Sequence, residues 1–164
     1  MKTIEIPDPL YKALERKAKI MKKKVSDVVI DSLLNTLDAS ERIEIYKKLH
    51  EEYLKQAEEF RKRGDITQSS EKYWGAITAL LNIIGEIENI PHYRHVHYAE
   101  IIEHVFKETK DDEIPRLFAS AERLHANYYH GFLSKESFEL HRQDALRLIK
   151  KLREYVGRLS LIHI

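Results

Sequence analysis

The residues that could do chemistry in this chain are its histidines and the carboxylates beside them. Seven of the nine His lie between positions 92 and 141. His97, Glu100 and His104 are spaced i, i+3 and i+7, so a helix would place them on one face. Imidazole and carboxylate together form a donor set for zinc or another divalent metal. No HExxH signature fixes that reading. The alternative is that these His are exposed or cleft-lining groups whose charge follows pH. A second group is Gln68, Glu71, Lys72, Trp74 and Gly75. Gln68, Glu71 and Gly75 share a helical face. A glycine inside a helix costs about 1 kcal/mol against alanine, so Gly75 implies close approach of another helix or of a ligand. The group reads either as a tight helix crossing with a buried polar network or as a nucleotide pocket. A third group is basic. Lys2, Thr3 and Glu5 alternate with Ile4 and Ile6, and Lys22, Lys23 and Lys24 follow. Such residues could meet phosphates, although Glu5 opposes a phosphate-lined groove.

Composition bounds these readings. The 164 residues carry 28 Lys and Arg against 27 Asp and Glu, a formal net charge of +1. A globally basic nucleic-acid coat and an acidic disordered tail are both excluded. The near-neutral sum hides blocks. Residues 1–24 hold eight basic and three acidic groups, residues 25–60 four and nine, and residues 142–158 six and two. Cysteine is absent, which removes disulfides, thiolate metal sites and thiol nucleophiles. Hydrophobic residues make up 43%, enough for one core, and five Gly with four Pro favour helices over a turn-rich β-sandwich. A charged fraction of 34% with few Asn and Gln suits a thermophile. No Walker loop and no GxGxxG occurs, so no cofactor is called for. No run of about 18 apolar residues spans a membrane and no targeting signal is evident, so the expected location is the cytoplasm.

Periodicity supplies the elements that must position these groups. Thr3–Ile6 alternates as a short strand, which Pro7 and Pro9 stop. Asp8 is placed to cap a first helix that ends at the lysine run, and Ser26 a second whose face holds Val29, Ile30, Leu33, Leu34 and Leu37. Asp38 with Glu41 has capping-box spacing before a third helix, which Gly64 ends. Asp65 with Gln68 repeats the device before a fourth helix that becomes apolar all round, as expected at the centre of a bundle. Helices are expected near 96–107 and 116–130, with 111–115 as a loop. Ser134 is placed to cap a last helix to Gly157. The apolar tail 158–164 looks strand-like, suited to pairing with residues 2–6 or to covering a dimer seam.

Two resemblances follow from these segments. Residues 2–37 resemble the ribbon-helix-helix family, a strand followed by two helices. That resemblance implies a dimer whose strands enter DNA, or a dimerising element with no DNA contact. The run Gly64-Asp65-Ile66-Thr67-Gln68 through Glu71-Lys72-Tyr73-Trp74-Gly75-Ala76, with Leu37–Ile45, Glu51–Glu58 and Leu124–Tyr129, resembles the archaeal PaREP family. That family is all-helical and similar to the HEPN superfamily of nucleotide- and RNA-associated domains, which often act as dimers. It also carries a His-containing segment near His97, which directs attention to a cleft beside His125. HEPN ribonucleases are known for an Arg followed a few residues later by a His, and Arg123-x6-His130 resembles that pattern, with Asn127 between. The resemblance implies Arg123 on a phosphate, His130 as general acid or base, and Asn127 orienting phosphate or water.

The sequence therefore predicts an all-α, HEPN-like antiparallel bundle over 39–157, a strand–helix–helix arm over 1–38 and an apolar tail over 158–164. The expected role is a dimeric RNA- or nucleotide-binding module. A metal-independent endoribonuclease using Arg123, Asn127 and His130, and a ribbon-helix-helix DNA-binding regulator, are the alternatives. The expected partners are a second copy and RNA, nucleotide or DNA, with no membrane.

Overall fold

The computed structural model describes residues 2–162, and among them there are seven helices and no strand. In order these are α1 (Asp8–Met21), α2 (Val25–Leu34), α3 (Ala39–Lys62), α4 (Ile66–Glu88), α5 (His95–Thr109), α6 (Glu113–His130) and α7 (Lys135–Ile162). The chain divides into two compact units, residues 1–42 and 43–164. No helix of the described residues is long and apolar enough to cross a membrane.

In the first unit, residues 2–7 precede α1 without regular structure. The alternation of residues 3–6 does not become a strand, because a strand requires a ladder partner and none is found among the described residues. Pro7, not Asp8, is the N-cap of α1, and Asp8 is its first residue. The three lysines form the turn between α1 and α2. Lys22 takes the left-handed conformation that ends α1 (φ 52°), Lys23 bonds Asp31 at 2.7 Å, and Lys24 is the N-cap of α2 in place of Ser26. Asp38 and Glu41 make the reciprocal capping box. The Asp38 N–H donates to Glu41 Oε2 at 3.0 Å and the Glu41 N–H donates to Asp38 Oδ1 at 2.9 Å.

The second unit is built around α4. Its run from Tyr73 to Ile84 buries Tyr73, Trp74, Ala76, Ile77, Ala79, Leu80, Leu81, Ile83 and Ile84, so apolar surface covers all but the face of Gly75, Thr78 and Asn82 and must be covered by several neighbours. Helix α3 runs antiparallel to it, with Tyr53 against Gly75 and Ser69 donating to the Ala57 carbonyl at 2.8 Å. Helix α6 is also antiparallel, joined by Asn127 to Ser70 and by His125 to Glu71. Helix α7 covers a third side with Phe138, Ala145, Leu148, Ile149 and Leu152, and α5 a fourth with Ile101, Ile102 and Val105. Predicted caps hold at α4, where Asp65 accepts from the Gln68 N–H, and at α7, where Ser134 accepts from the Ser137 N–H.

Two boundaries differ from the periodicity. Helix α6 begins at Glu113, so the expected loop 111–115 is partly helical. Pro115 is tolerated because the first-turn N–H groups have no intrahelical acceptor. Helix α7 does not stop at Gly157. Val156 and Leu159 continue its buried face, so residues 158–162 are helix and not a strand-like tail. Ile164, assigned to the same tail, lies outside the described residues.

A charged network ties α3, α4 and α7 together. Arg142 donates to Glu58 Oε1 at 2.6 Å and to the Tyr73 hydroxyl at 2.7 Å, and the Tyr73 hydroxyl donates to Glu58. Burial pushes the Tyr73 hydroxyl pKa well above the ordinary tyrosine range, and Glu58 adds to the shift. Burial alone would raise the Glu58 carboxyl, but the hydrogen bonds from Tyr73 and Arg142 outweigh it and hold the carboxyl below its usual range.

Gly85 is fixed by contact. A Cβ there would lie 2.5 Å from His92 Nδ1 and 2.9 Å from the Ile90 carbonyl oxygen. The His92 ring cannot withdraw freely, because it bonds Ile90 O at 2.9 Å and Glu86 Oε1 at 3.0 Å. Gly85→Ala is predicted to cost about 1–3 kcal/mol by overpacking. Gly157→Ala, where a Cβ meets nothing within 4 Å, serves as the control. Thermal melts showing equal midpoints for the two variants would refute the contact argument.

Candidate functional site

Most polar candidates turn out to be occupied by the fold. Asn127 is 1% exposed; its amide donates to Ser70 Oγ at 3.1 Å and its carbonyl accepts the Leu133 N–H at 2.8 Å. It therefore locks the α6–α7 turn to α4 and does not stand in a cleft between Arg123 and His130. Arg123 lies over the Phe132 ring at 4.9 Å, and His130 is exposed at the end of α6. The three residues of the predicted catalytic set are not brought together. His97 Nδ1 accepts the N–H groups of Tyr93 and Arg94 and so caps α5, which occupies a lone pair a metal would need. His104 faces Glu88 and the Tyr155 hydroxyl, and Glu100 is exposed. Among the described residues, no three His, Asp or Glu side chains are placed to hold a metal, so the set His97, Glu100 and His104 is not assembled.

The second candidate group divides. Gly75 is explained by packing: a Cβ there would lie 3.1 Å from the Tyr53 ring, so the close approach is by a helix and not by a ligand. Lys72 sits over the same ring at 5.1 Å, and Gln68 is in the α4 cap. Of the basic candidates, Lys2, Thr3 and Glu5 are exposed ahead of α1, and Lys22, Lys23 and Lys24 make the turn already described.

Glu71, Trp74 and His125 are brought together. His125 Nδ1 lies 3.1 Å from Glu71 Oε2, and the His125 ring stacks on the indole with centroids 4.6 Å apart. His95, from the first turn of α5, stacks on the same indole at 5.2 Å and bonds Glu122 Oε1 through Nε2 at 3.1 Å. The two imidazole centroids are 5.7 Å apart. Rings on opposite faces of the indole would be separated by about 7 Å or more, twice the usual contact spacing. Both imidazoles therefore lie side by side on one face of Trp74. Phe118 and Tyr98 pack against the indole, at 5.8 and 6.0 Å. Tyr129 stands edge-on to His125 at 5.3 Å and 88°.

The arrangement is layered by depth. Trp74 is buried, the His125–Glu71 pair is partly buried, and the His95–Glu122 pair is open, with side chains 53% and 42% exposed. A carboxylate accepts, so the facing nitrogens donate: Nδ1 of His125 and Nε2 of His95. Each ring is thereby fixed in orientation and keeps its other nitrogen. The product is a flat, part-exposed imidazole surface backed by an indole, walled by Tyr129 and edged by carboxylate. Such a surface stacks planar rings and accepts hydrogen bonds at their edges. Glu122 and Tyr129 were not singled out by the sequence, and His95 entered only as one of the clustered histidines, with His92, His97 and His104. The available signal was Glu122, His125 and Tyr129 at i, i+3 and i+7 on α6, matching Glu71 and Trp74 at i and i+3 on α4.

A profile of the archaeal PaREP1/PaREP8 family matches residues 45–149. The chain belongs to that family. The match begins inside α3 and ends inside α7, and so contains all residues of the Trp74 cluster. No curated protein and no solved structure matches the chain.

His50 lies apart from this cluster and shows how a buried imidazole is used here. It is 2% exposed; Nδ1 donates to the Ala76 carbonyl at 2.8 Å and Nε2 accepts from Arg153 Nε at 2.8 Å. Burial pushes its pKa below the ordinary 6.5, the Ala76 hydrogen bond opposes this, and the Arg153 charge lowers it further. His141, lowered by burial and by Arg123, shifts the same way. The unfolded chain then binds more protons than the folded one below pH 6.5, so stability is complete above that pH and falls as pH drops through it. Glu58, Asp111 and Glu113, whose pKa values are lowered, act only below about 4.5. Urea midpoints at pH 7.5, 6.5 and 5.5 are predicted to fall more for the wild type than for His50→Asn, which cannot titrate. Parallel slopes would refute the assignment.

Proposed function

We propose that this chain is an HEPN-like, dimeric RNA- or nucleotide-binding module, with residues 39–157 as the ligand-binding bundle and residues 1–38 as a dimerising arm. The observation that carries the binding reading is the pair of imidazoles lying side by side on one face of Trp74. A planar ring set against their outer face would stack in turn, beside the perpendicular ring of Tyr129. Stacking on aromatic and imidazole faces is how proteins take hold of bases that are not paired in a duplex. The surface is open enough for this, since His95 and Tyr129 are each about half exposed.

The dimer reading rests on the first unit. Ile4, Leu10, Ile20 and Leu33 are 74%, 55%, 83% and 56% exposed. So much exposed apolar side chain on some forty residues favours burial against a second copy.

Two outcomes test these readings. Trp74 is the single tryptophan of the chain, so its emission reports on the site directly. Titration with nucleoside monophosphates or a short single-stranded RNA is predicted to change that emission. His125→Ala and Tyr129→Ala are predicted to weaken binding roughly tenfold each, the usual scale for removing one stacking partner. Unchanged emission at millimolar nucleotide and at micromolar RNA would overturn the binding reading. Light scattering of the full chain is predicted to give a dimer, and Ile20→Glu a monomer; a wild-type monomer would overturn the dimer reading.

A further inference from the structure

Glu122 sits at the exposed edge of the imidazole platform. Its Oε1 takes the His95 Nε2–H at 3.1 Å, which fixes the carboxylate against the ring. Among the described residues its other oxygen makes no hydrogen bond. The carboxylate is thus an oriented acceptor beside a stacking surface, with one oxygen unused. The second carboxylate, Glu71, lies deeper, at 14% side-chain exposure, and is bonded to His125.

Resting on the reading that this surface stacks a base, we propose that the base is guanine and that Glu122 selects it. An ionised carboxylate can only accept hydrogen bonds. Guanine presents two adjacent donors, N1–H and the N2 amino group, which a carboxylate engages in parallel. Adenine and cytosine place a ring acceptor beside their amino group, and that lone pair is repelled by the carboxylate. Uracil offers one N–H between two carbonyls, both repelled. His95 is a positioning residue in this scheme. It holds the Glu122 carboxylate at the edge of the platform through one lone pair of Oε1, and Oε2 with the second lone pair of Oε1 takes the two guanine donors. The groups gathered here are rings and carboxylates, so the phosphate of a nucleotide points away from the site and adds little to binding. Guanine reaches the site either as a free nucleotide or as an unpaired residue of RNA; the recognition chemistry is the same.

The test uses Trp74 emission on the full chain with GMP, IMP and AMP, and with single-stranded uridine oligonucleotides that contain or lack one guanine. GMP is expected to bind roughly tenfold or more tightly than IMP, which lacks only the N2 amino group, as one bidentate edge contact discriminates by about that factor. AMP is expected to be weaker still. The guanine-containing oligonucleotide is expected to exceed its all-uridine counterpart by a similar factor if RNA is the source, and to match GMP if the free base edge suffices. Glu122→Gln, at an exposed position, is expected to fold normally and to reduce GMP to the level of IMP. Equal binding of GMP and IMP by the wild type, or a GMP preference that survives in Glu122→Gln, would overturn the guanine assignment while leaving base stacking intact. Absence of any response to every probe would overturn the stacking reading itself and this inference with it.

Discussion

The second unit depends on covering α4 from every side. A helix with one narrow apolar stripe needs one neighbour, whereas the stretch from Tyr73 to Ile84 buries apolar side chains around most of its circumference, broken by the stripe of Gly75, Thr78 and Asn82, and needs several. Helices α3, α5, α6 and α7 are arranged by that demand. Two polar side chains of α4, Ser69 and Ser70, are fully buried and each finds a partner. Ser69 bonds the Ala57 carbonyl of α3; Ser70 bonds the Ile66 carbonyl and receives Asn127 of α6. These bonds set the rotation of the neighbours about α4. Trp74 then lies where α4, α5 and α6 meet, and the imidazoles reach it from two different helices.

The helices of this unit were legible in the sequence because each carries a strong period and a recognisable cap. Asp38 with Glu41, Asp65 and Ser134 act as their spacing suggests, and Gly64 and Gly131 take the left-handed conformation that ends α3 and α6. The failures have a common physical source. A strand pattern over residues 3–6 and an apolar tail over residues 158–162 are local statements, while strand formation is a property of two segments. Pairing cannot be read from one of them. Likewise Pro115 and Gly157 are poor interior residues, yet the first turn of a helix tolerates the one and a continuing buried face carries through the other.

The site was half legible. Glu71, Trp74 and His125 come together, because a turn of α4 and a turn of α6 present them to each other. Arg123, Asn127 and His130 share a spacing but not an environment. Spacing on a helix fixes azimuth only; what lies opposite that azimuth comes from tertiary packing. For Asn127 the neighbour is Ser70 and the Leu133 backbone, and for Arg123 it is the Phe132 ring. The histidines illustrate the same point. His50, His92 and His97 have their nitrogens engaged by backbone groups, by Arg153 or by Glu86. A chain rich in imidazole is thus largely a chain that uses imidazole as a compact two-ended connector. His95 and His125 differ from these in lying together against the face of an indole.

The contact of Tyr53 with Gly75 has a consequence for how α3 is held. The ring sits in the notch left by the missing side chain, as a detent sits in a groove. Moving α3 by one helical turn along α4, about 5.4 Å, would lift the ring onto a side-chain-bearing position. The same shift would separate His50 from the Ala76 carbonyl on one side and Glu58 from Arg142 on the other. One absent methyl group therefore indexes the long helix, and two polar connections, one to α4 and one to α7, come into register because of it.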